Sequence, residues 1–141
     1  YGEYYMKNGN ISGEYKEYNN EGILIEHAEK MSTKGKEVIY HGKQKGWYDN
    51  GSLQFEVSFV EGSRFGFGIS YSEDGMINRI DYYENDIDVS WDNDKNKKKM
   101  LREIKKYMNN GFKVYPVNYI GLCESLGIDV HEFSNNPNIK I

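Results

Sequence analysis

Four short segments of the chain repeat one pattern, in which an aromatic residue is followed by polar residues that end in glycine and then by an aliphatic residue. They are YMKNGNI (5–11), YNNEGIL (18–24), WYDNGSL (47–53) and YSEDGMI (71–77). Asn-Gly and Asp-Gly dipeptides accept the positive φ angles of tight hairpin turns. Asn8-Gly9, Asn50-Gly51 and Asp74-Gly75 therefore predict a succession of antiparallel hairpins.

The segments between these turns alternate apolar and polar residues, as strands with one packed face do. In SLQFEVSFV this alternation places four side chains on one face: Leu53, Phe55, Val57 and Phe59. In RFGFGISY it does the same for Phe65, Phe67, Ile69 and Tyr71. The content of 13 tyrosines and 15 glycines with only 2 prolines also favours pleated strands joined by tight turns.

The sequence changes character after Trp91. The segment DNDKNKKKMLREIKKYMNNG predicts an amphipathic helix of about fourteen residues, with Asp92 or Asp94 as its cap and Asn110-Gly111 as its end. Its apolar stripe should cover the last exposed part of the sheet. The stripe consists of Met100, Leu101, Ile104, Tyr107 and Met108.

The rest of the chain predicts three further short elements. FKVYPV (112–117) is expected to form a strand, NYIGLCESLG (118–127) a second helix, and IDVHEF (128–133) a final strand. The expected fold is thus mainly β, with a hairpin sheet over residues 1–91 and a helix-strand-helix-strand appendage of α+β type over residues 92–141.

The turn pattern of residues 1–91 resembles that of MORN-type repeat proteins, and in particular the bacterial YwqK-like antitoxin and immunity proteins. The resemblance implies an elongated, twisted antiparallel sheet of successive hairpins whose ends need caps. It also implies a bacterial protein that binds and neutralises a toxin. Residues 29–47 keep three glycines but lack the central part of the motif.

No motif in the sequence indicates catalysis, a metal or a cofactor. His27, His41 and His131 lack metal-ligand spacing, and no phosphate loop, nucleophile elbow or dinucleotide fingerprint occurs. Cys123 is the sole cysteine, lies on the apolar side of a predicted helix and is expected in the core. A single cysteine also fits a reducing cytoplasm.

The charge is divided between the two parts of the chain. Residues 1–94 hold 9 basic and 18 acidic residues, whereas residues 95–141 hold 9 basic and 4 acidic ones. An acidic, aromatic sheet suits a basic protein partner, such as a toxin that cuts nucleic acids. We expect seven residues to carry the binding: Trp47, Tyr48, Asp49, Glu73, Asp74, Tyr15 and Tyr18.

The basic run KNKKKMLREIKK (95–106) supports an alternative function, a structural or membrane-associated repeat scaffold that binds anionic lipid. The contacts would come from Lys97, Lys98, Lys99, Arg102, Lys105 and Lys106. The solvated face of an amphipathic helix explains the same run, and the acidic remainder of the chain disfavours nucleic acid as a partner.

Overall fold

The computed structural model describes residues 1–7 and 9–141, and for residues 7, 10 and 11 the backbone alone. Within this part the chain forms eight strands and then three helices. The strands are β1 (Gly2–Lys7), β2 (Asn10–Tyr18), β3 (Leu24–Lys34), β4 (Glu37–Trp47), β5 (Leu53–Val60), β6 (Ser63–Tyr71), β7 (Ile77–Glu84) and β8 (Ile87–Asp88). The helices are α1 (Asp94–Asn109), α2 (Ile120–Leu126) and α3 (Val130–Asn135), with a 3₁₀ turn at Pro116–Asn118 before α2.

The strands form one open antiparallel sheet in which each strand pairs with the next along the chain, in the order β1 to β8. The prediction of a mainly β fold built from successive hairpins and covered by an amphipathic helix is therefore confirmed. Asn8 of the predicted Asn8-Gly9 turn lies outside the described residues.

The hairpin turns differ between the two ends of the sheet. At one end, five-residue loops join β2 to β3 (19–23), β4 to β5 (48–52) and β6 to β7 (72–76). In the last two, the glycines of the predicted dipeptides have positive φ, 86° at Gly51 and 90° at Gly75. At the other end, two-residue loops include Glu61-Gly62 and Asn85-Asp86, where both residues have positive φ.

The strict alternation expected in β5 is wrong. Leu53 pairs with Trp47 and Phe55 pairs with the adjacent Gly46, so that Gln54 is an extra residue in β5. This bulge moves Phe55, Val57 and Phe59 to the face opposite Leu53, because side-chain direction follows the pairing register. Glu56 thereby shares a face with Ile69, its partner in β6.

Helix α1 covers the sheet as the apolar stripe predicted. Asn93 caps it by accepting a hydrogen bond from the Asn96 amide at 2.8 Å, where the sequence favoured Asp92 or Asp94, and it ends at Asn110-Gly111 as expected. Met100, Leu101 and Ile104 are buried against β6 and β7 in the main core. The other buried members of this core are Ile69, Tyr71, Ile77, Ile80, Val114, Tyr119, Leu122, Cys123 and Phe133.

The two strands predicted after α1 are wrong. Segment 112–117 makes only a single parallel bridge, between Val114 and Ile77, and segment 128–133 contributes to α3. Asp129 caps α3 by accepting a hydrogen bond from the Glu132 amide at 2.8 Å, which turns Phe133 into the core. The predicted second helix and the buried position of Cys123 are confirmed.

The carboxy-terminal region protects one edge of the sheet. Strand β8 is two residues long and leaves most of the outer edge of β7, the edge away from β6, without a strand partner. Along this edge the Ile77 amide donates to the Lys113 carbonyl, and the Tyr115 amide donates to the Ile77 carbonyl. The Asn118 side chain accepts a hydrogen bond from the Ile80 amide and donates one to the Asn78 carbonyl, so part of the edge is paired. The helices thus lie over one face of the sheet and against its β7 edge.

Candidate functional site

The three five-residue loops repeat one geometry at the same end of the sheet, and we call them the turn row (19–23, 48–52 and 72–76). In each loop the first residue's amide bonds to the last residue's carbonyl, and the glycine amide bonds to the first residue's carbonyl. A side-chain oxygen of Asn19, Asn50 or Asp74 accepts an amide hydrogen bond inside its own loop. The exposed acidic side chains of the row are Glu21, Asp49, Glu73 and Asp74.

The sheet face opposite α1, which we call the open face, is built from cross-strand neighbours. One row of partners runs from Tyr4 through Tyr15, Ala28 and Gln44 to Val57. The Tyr4 and Tyr15 rings stack with their centroids 6.0 Å apart. Aromatic contacts of this kind stabilise a sheet face and leave rigid contact area for a partner.

Glycines on this face make room for rings. A Cβ at Gly46 would overlap the Phe55 ring, and one at Gly68 would lie 2.9 Å from the Tyr83 ring. The rings of Phe55 and Tyr83 therefore lie across the neighbouring strands, because glycine leaves the space open. Further along the same face, Tyr40 and Phe59 have their ring centroids 5.3 Å apart.

Two carboxylates face each other in the middle of these tyrosines. Glu17 on β2 pairs directly with Glu26 on β3. Tyr15 donates a hydrogen bond to Glu17 at 3.0 Å, while Tyr40 and Gln44 donate to Glu26 at 3.3 Å and 2.8 Å. We call these five residues the tyrosine-glutamate patch.

Among the described residues, the two carboxylates of the patch accept hydrogen bonds from neutral side chains only. All five side chains are half-buried, and no ion pair in the described part of the chain involves Glu17 or Glu26. Burial and the nearby Glu17 raise the pKa of Tyr15 to about 12, and burial and Glu26 raise that of Tyr40. Like charges directly opposite each other across two strands destabilise a sheet, so this arrangement is unfavourable in the isolated protein.

The structure brings most of the sequence-predicted binding residues to one region. Trp47, Tyr48 and Asp49 lie at the second loop of the turn row, Glu73 and Asp74 in the third, and Tyr18 beside the first. Tyr15 belongs to the patch. The patch adjoins the turn row. Glu17 lies one residue before the end of β2 at Tyr18, and Glu26 lies two residues after the start of β3 at Leu24.

Two of the predicted residues have structural contacts that limit their availability. The Tyr48 hydroxyl donates to the Tyr71 carbonyl at 2.6 Å. Asp74 accepts from the Ser72 hydroxyl and from the Met76 amide, and these bonds lower its pKa. Glu21, Asp49 and Glu73 are the row's better candidates for contact with a partner.

Sequence reasoning missed Glu17, Glu26 and Glu21. Glu21 could have been predicted from the sequence, because it precedes the glycine of YNNEGIL just as Asp74 precedes the glycine of YSEDGMI. The Glu17–Glu26 pair could not have been predicted, because it depends on the register between β2 and β3.

The basic residues of α1 differ in their exposure and in their contacts within the chain. Lys97 donates to Ser125 at 2.7 Å and lies over Trp91, and Lys99 donates to Tyr82 at 3.2 Å. Lys105 is buried. The remaining three, Lys98, Arg102 and Lys106, are exposed. Arg102 also donates to a main-chain oxygen of Ile141 at 3.1 Å, so four of the six predicted lipid-binding cations have contacts within the chain.

The histidines are dispersed. His27 lies 3.5 Å from Glu14, and His41 Nδ1 accepts from the Glu61 amide at 3.1 Å. Within residues 1–7 and 9–141, no group of three or more His, Cys, Asp or Glu side chains is placed to hold a metal ion.

Comparison with known proteins found no matching family model, no matching curated protein and no matching solved structure. None of the helices in the described part of the chain is both long and apolar enough to cross a membrane. The open face and the turn row are therefore interpreted from their chemistry alone.

Proposed function

We propose that the chain is a non-enzymatic protein-binding module, of the antitoxin or immunity type, that neutralises a basic toxin by covering its functional surface. The observation that carries this proposal is the Glu17–Glu26 pair. Two half-buried carboxylates that pair across two strands, with no cationic partner among the described residues, repel each other in the free protein. A lysine or arginine from a partner would relieve that repulsion.

The surroundings of the pair suit a protein partner. The rings of Tyr4, Tyr15 and Tyr40 offer contact area that loses little conformational entropy on binding. The acidic side chains of the adjoining turn row would attract a positively charged surface and speed the encounter. In this mechanism the patch binds a basic side chain of the toxin, and the sheet covers the toxin's functional surface.

The experiment begins with capture. Immobilised chain is incubated with lysate of its native cells at low salt, and proteins released at moderate salt are identified by mass spectrometry. The partner is then purified, and its affinity and its inhibition are measured with the wild type and with the double variant Glu17→Gln/Glu26→Gln. The matched control is Glu37→Gln/Glu84→Gln, which removes two exposed carboxylates at the other end of the sheet.

The patch variant should lose about tenfold or more in affinity, as expected for lost charged hydrogen bonds. Its thermal midpoint should stay equal or rise, because the like-charge repulsion disappears while the amide oxygens still accept hydrogen bonds. The control should bind within about twofold of the wild type. Unchanged affinity of the patch variant, or a bound partner whose activity is not inhibited, would refute the proposal.

The turn row is tested separately with Asp49→Lys/Glu73→Lys. Electrostatic steering predicts slower association with little change in dissociation. A change confined to the dissociation rate would place these residues inside the interface, and no change would remove them from the site.

A further inference from the structure

The carboxy-terminal half of α1 and residues 139–141 line an open cleft of about 330 Å³. It is lined by Arg102, Lys105, Lys106, Asn109, Asn110, Ile139 and Ile141. Three cationic side chains and two amides thus surround one space, with two isoleucines on another wall. An open cleft of this size can hold a small ligand that contacts the cations on one side and the isoleucines on the other.

Lys105 is the unusual member of this lining. Only 7% of the residue is exposed, and its ammonium group donates to the Phe133 carbonyl and lies 5.3 Å from the Phe133 ring centroid. Lysine carries three N–H donors and is seldom buried without a counter-charge. Burial lowers the pKa of Lys105.

The other two cations of the cleft, Arg102 and Lys106, resemble Lys105 in one respect: among the described residues, no ion pair involves any of the three. Arg102 Nη1 donates to a main-chain oxygen of Ile141 at 3.1 Å, and Asn109 donates to the Pro137 carbonyl at 2.9 Å. These bonds hold residues 137–141 against α1. The Arg102 guanidinium keeps further N–H groups for a ligand.

We propose that this cleft binds a small phosphate monoester, with the phosphoryl group between Arg102, Lys105 and Lys106 and its apolar substituent against Ile139 and Ile141. A dianionic phosphoryl group supplies both the missing counter-charge and the missing acceptors, and guanidinium groups bind it through paired hydrogen bonds. The site lies on the helices, separate from the open face, and is independent of the proposed toxin binding.

The test measures the binding of phenyl phosphate by isothermal titration calorimetry and by phosphorus NMR at constant ionic strength. The wild type should bind one equivalent saturably, and inorganic phosphate should compete, because the phosphoryl group is what the cleft recognises. Arg102→Gln should weaken binding about tenfold or more, the effect of a lost charged hydrogen bond. Lys98→Gln, which removes an exposed charge from the same helix outside the cleft, should change affinity less than about twofold.

Lys105→Met provides a second variant that should abolish binding. If it fails to fold, Arg102→Gln and Lys106→Gln, both at exposed positions, still decide the question. The proposal is overturned if the wild type shows no saturable binding, if inorganic phosphate does not compete, or if Lys98→Gln weakens binding as much as Arg102→Gln. Binding that appears only with phosphatidic acid vesicles and not with phenyl phosphate would also overturn it.

Discussion

At the scale of single residues, Glu56 shows how a bulge changes a side chain's role. The register of β5 turns Glu56 toward α1, where its carboxylate accepts hydrogen bonds from Tyr71 at 3.0 Å and from Tyr107 at 3.4 Å. A carboxylate beneath a covering helix is tolerated because both hydroxyls satisfy it. Burial and Glu56 in turn raise the pKa of both tyrosines, that of Tyr107 to about 12.

This shift predicts a loss of stability at alkaline pH. A raised pKa means that the fold favours the neutral phenol, so its contribution is complete below the unfolded pKa of about 10 and is lost as the pH rises toward 12. The free energy of unfolding of the wild type should therefore exceed that of Tyr107→Phe by an amount that shrinks above pH 10. The change is at most about 1.4 kcal/mol per pH unit.

Urea unfolding at pH 9, 10 and 11 measures this difference. Tyr5→Phe is the matched control, because it removes the hydroxyl of a tyrosine that is 66% exposed. A difference between wild type and Tyr107→Phe that stays constant with pH would show that the fold does not raise the pKa of Tyr107.

At the scale of elements, α1 provides the second layer that a single sheet needs for a core. Leu101 and Ile104 are fully buried, at 0% exposure, against the last strands of the sheet. The sequence predicted this helix well, since a long apolar stripe with a cap and a stop is a local signal. It mispredicted IDVHEF as a strand, because six residues carry too little periodicity to separate strand from helix and the Asp129 cap decided the outcome.

Shortening a buried side chain of α1 should destabilise the protein. Leu101→Ala is expected to lower the free energy of unfolding by about 2 to 5 kcal/mol through lost burial and the cavity left behind. Val117→Ala, at a residue 80% exposed, should change it by less than about 0.5 kcal/mol. Urea unfolding monitored by circular dichroism compares the two, and similar losses would mean that α1 does not carry the core.

At the scale of the whole molecule, stability is distributed unevenly along the sheet. The main core begins at Ile69, whereas the buried apolar residues of the described earlier strands are Ala28 and Met31. The first strands thus rely on main-chain pairing and on half-buried aromatic side chains. Strand β1 lies at the sheet edge with exposed Tyr4, Tyr5 and Met6.

This asymmetry predicts graded protection of main-chain amides. Hydrogen exchange followed by mass spectrometry should show β1 and β2 opening at least about tenfold faster than β6 and β7, because local opening there exposes little apolar surface. Equal exchange across the sheet would mean that all eight strands open as one cooperative unit.

The sequence by itself determined the hairpins and the helix that covers them. Their signals are local: Gly51 and Gly75 allow the loop geometry, and the spacing from Met100 to Met108 fixes one face of a helix. The tertiary structure alone decided which strand face each side chain joins, because one extra residue such as Gln54 reverses the direction of those that follow. It also set Glu17 opposite Glu26 and buried Lys105 behind Phe133, since these neighbours are brought together by register and packing between segments distant in the chain.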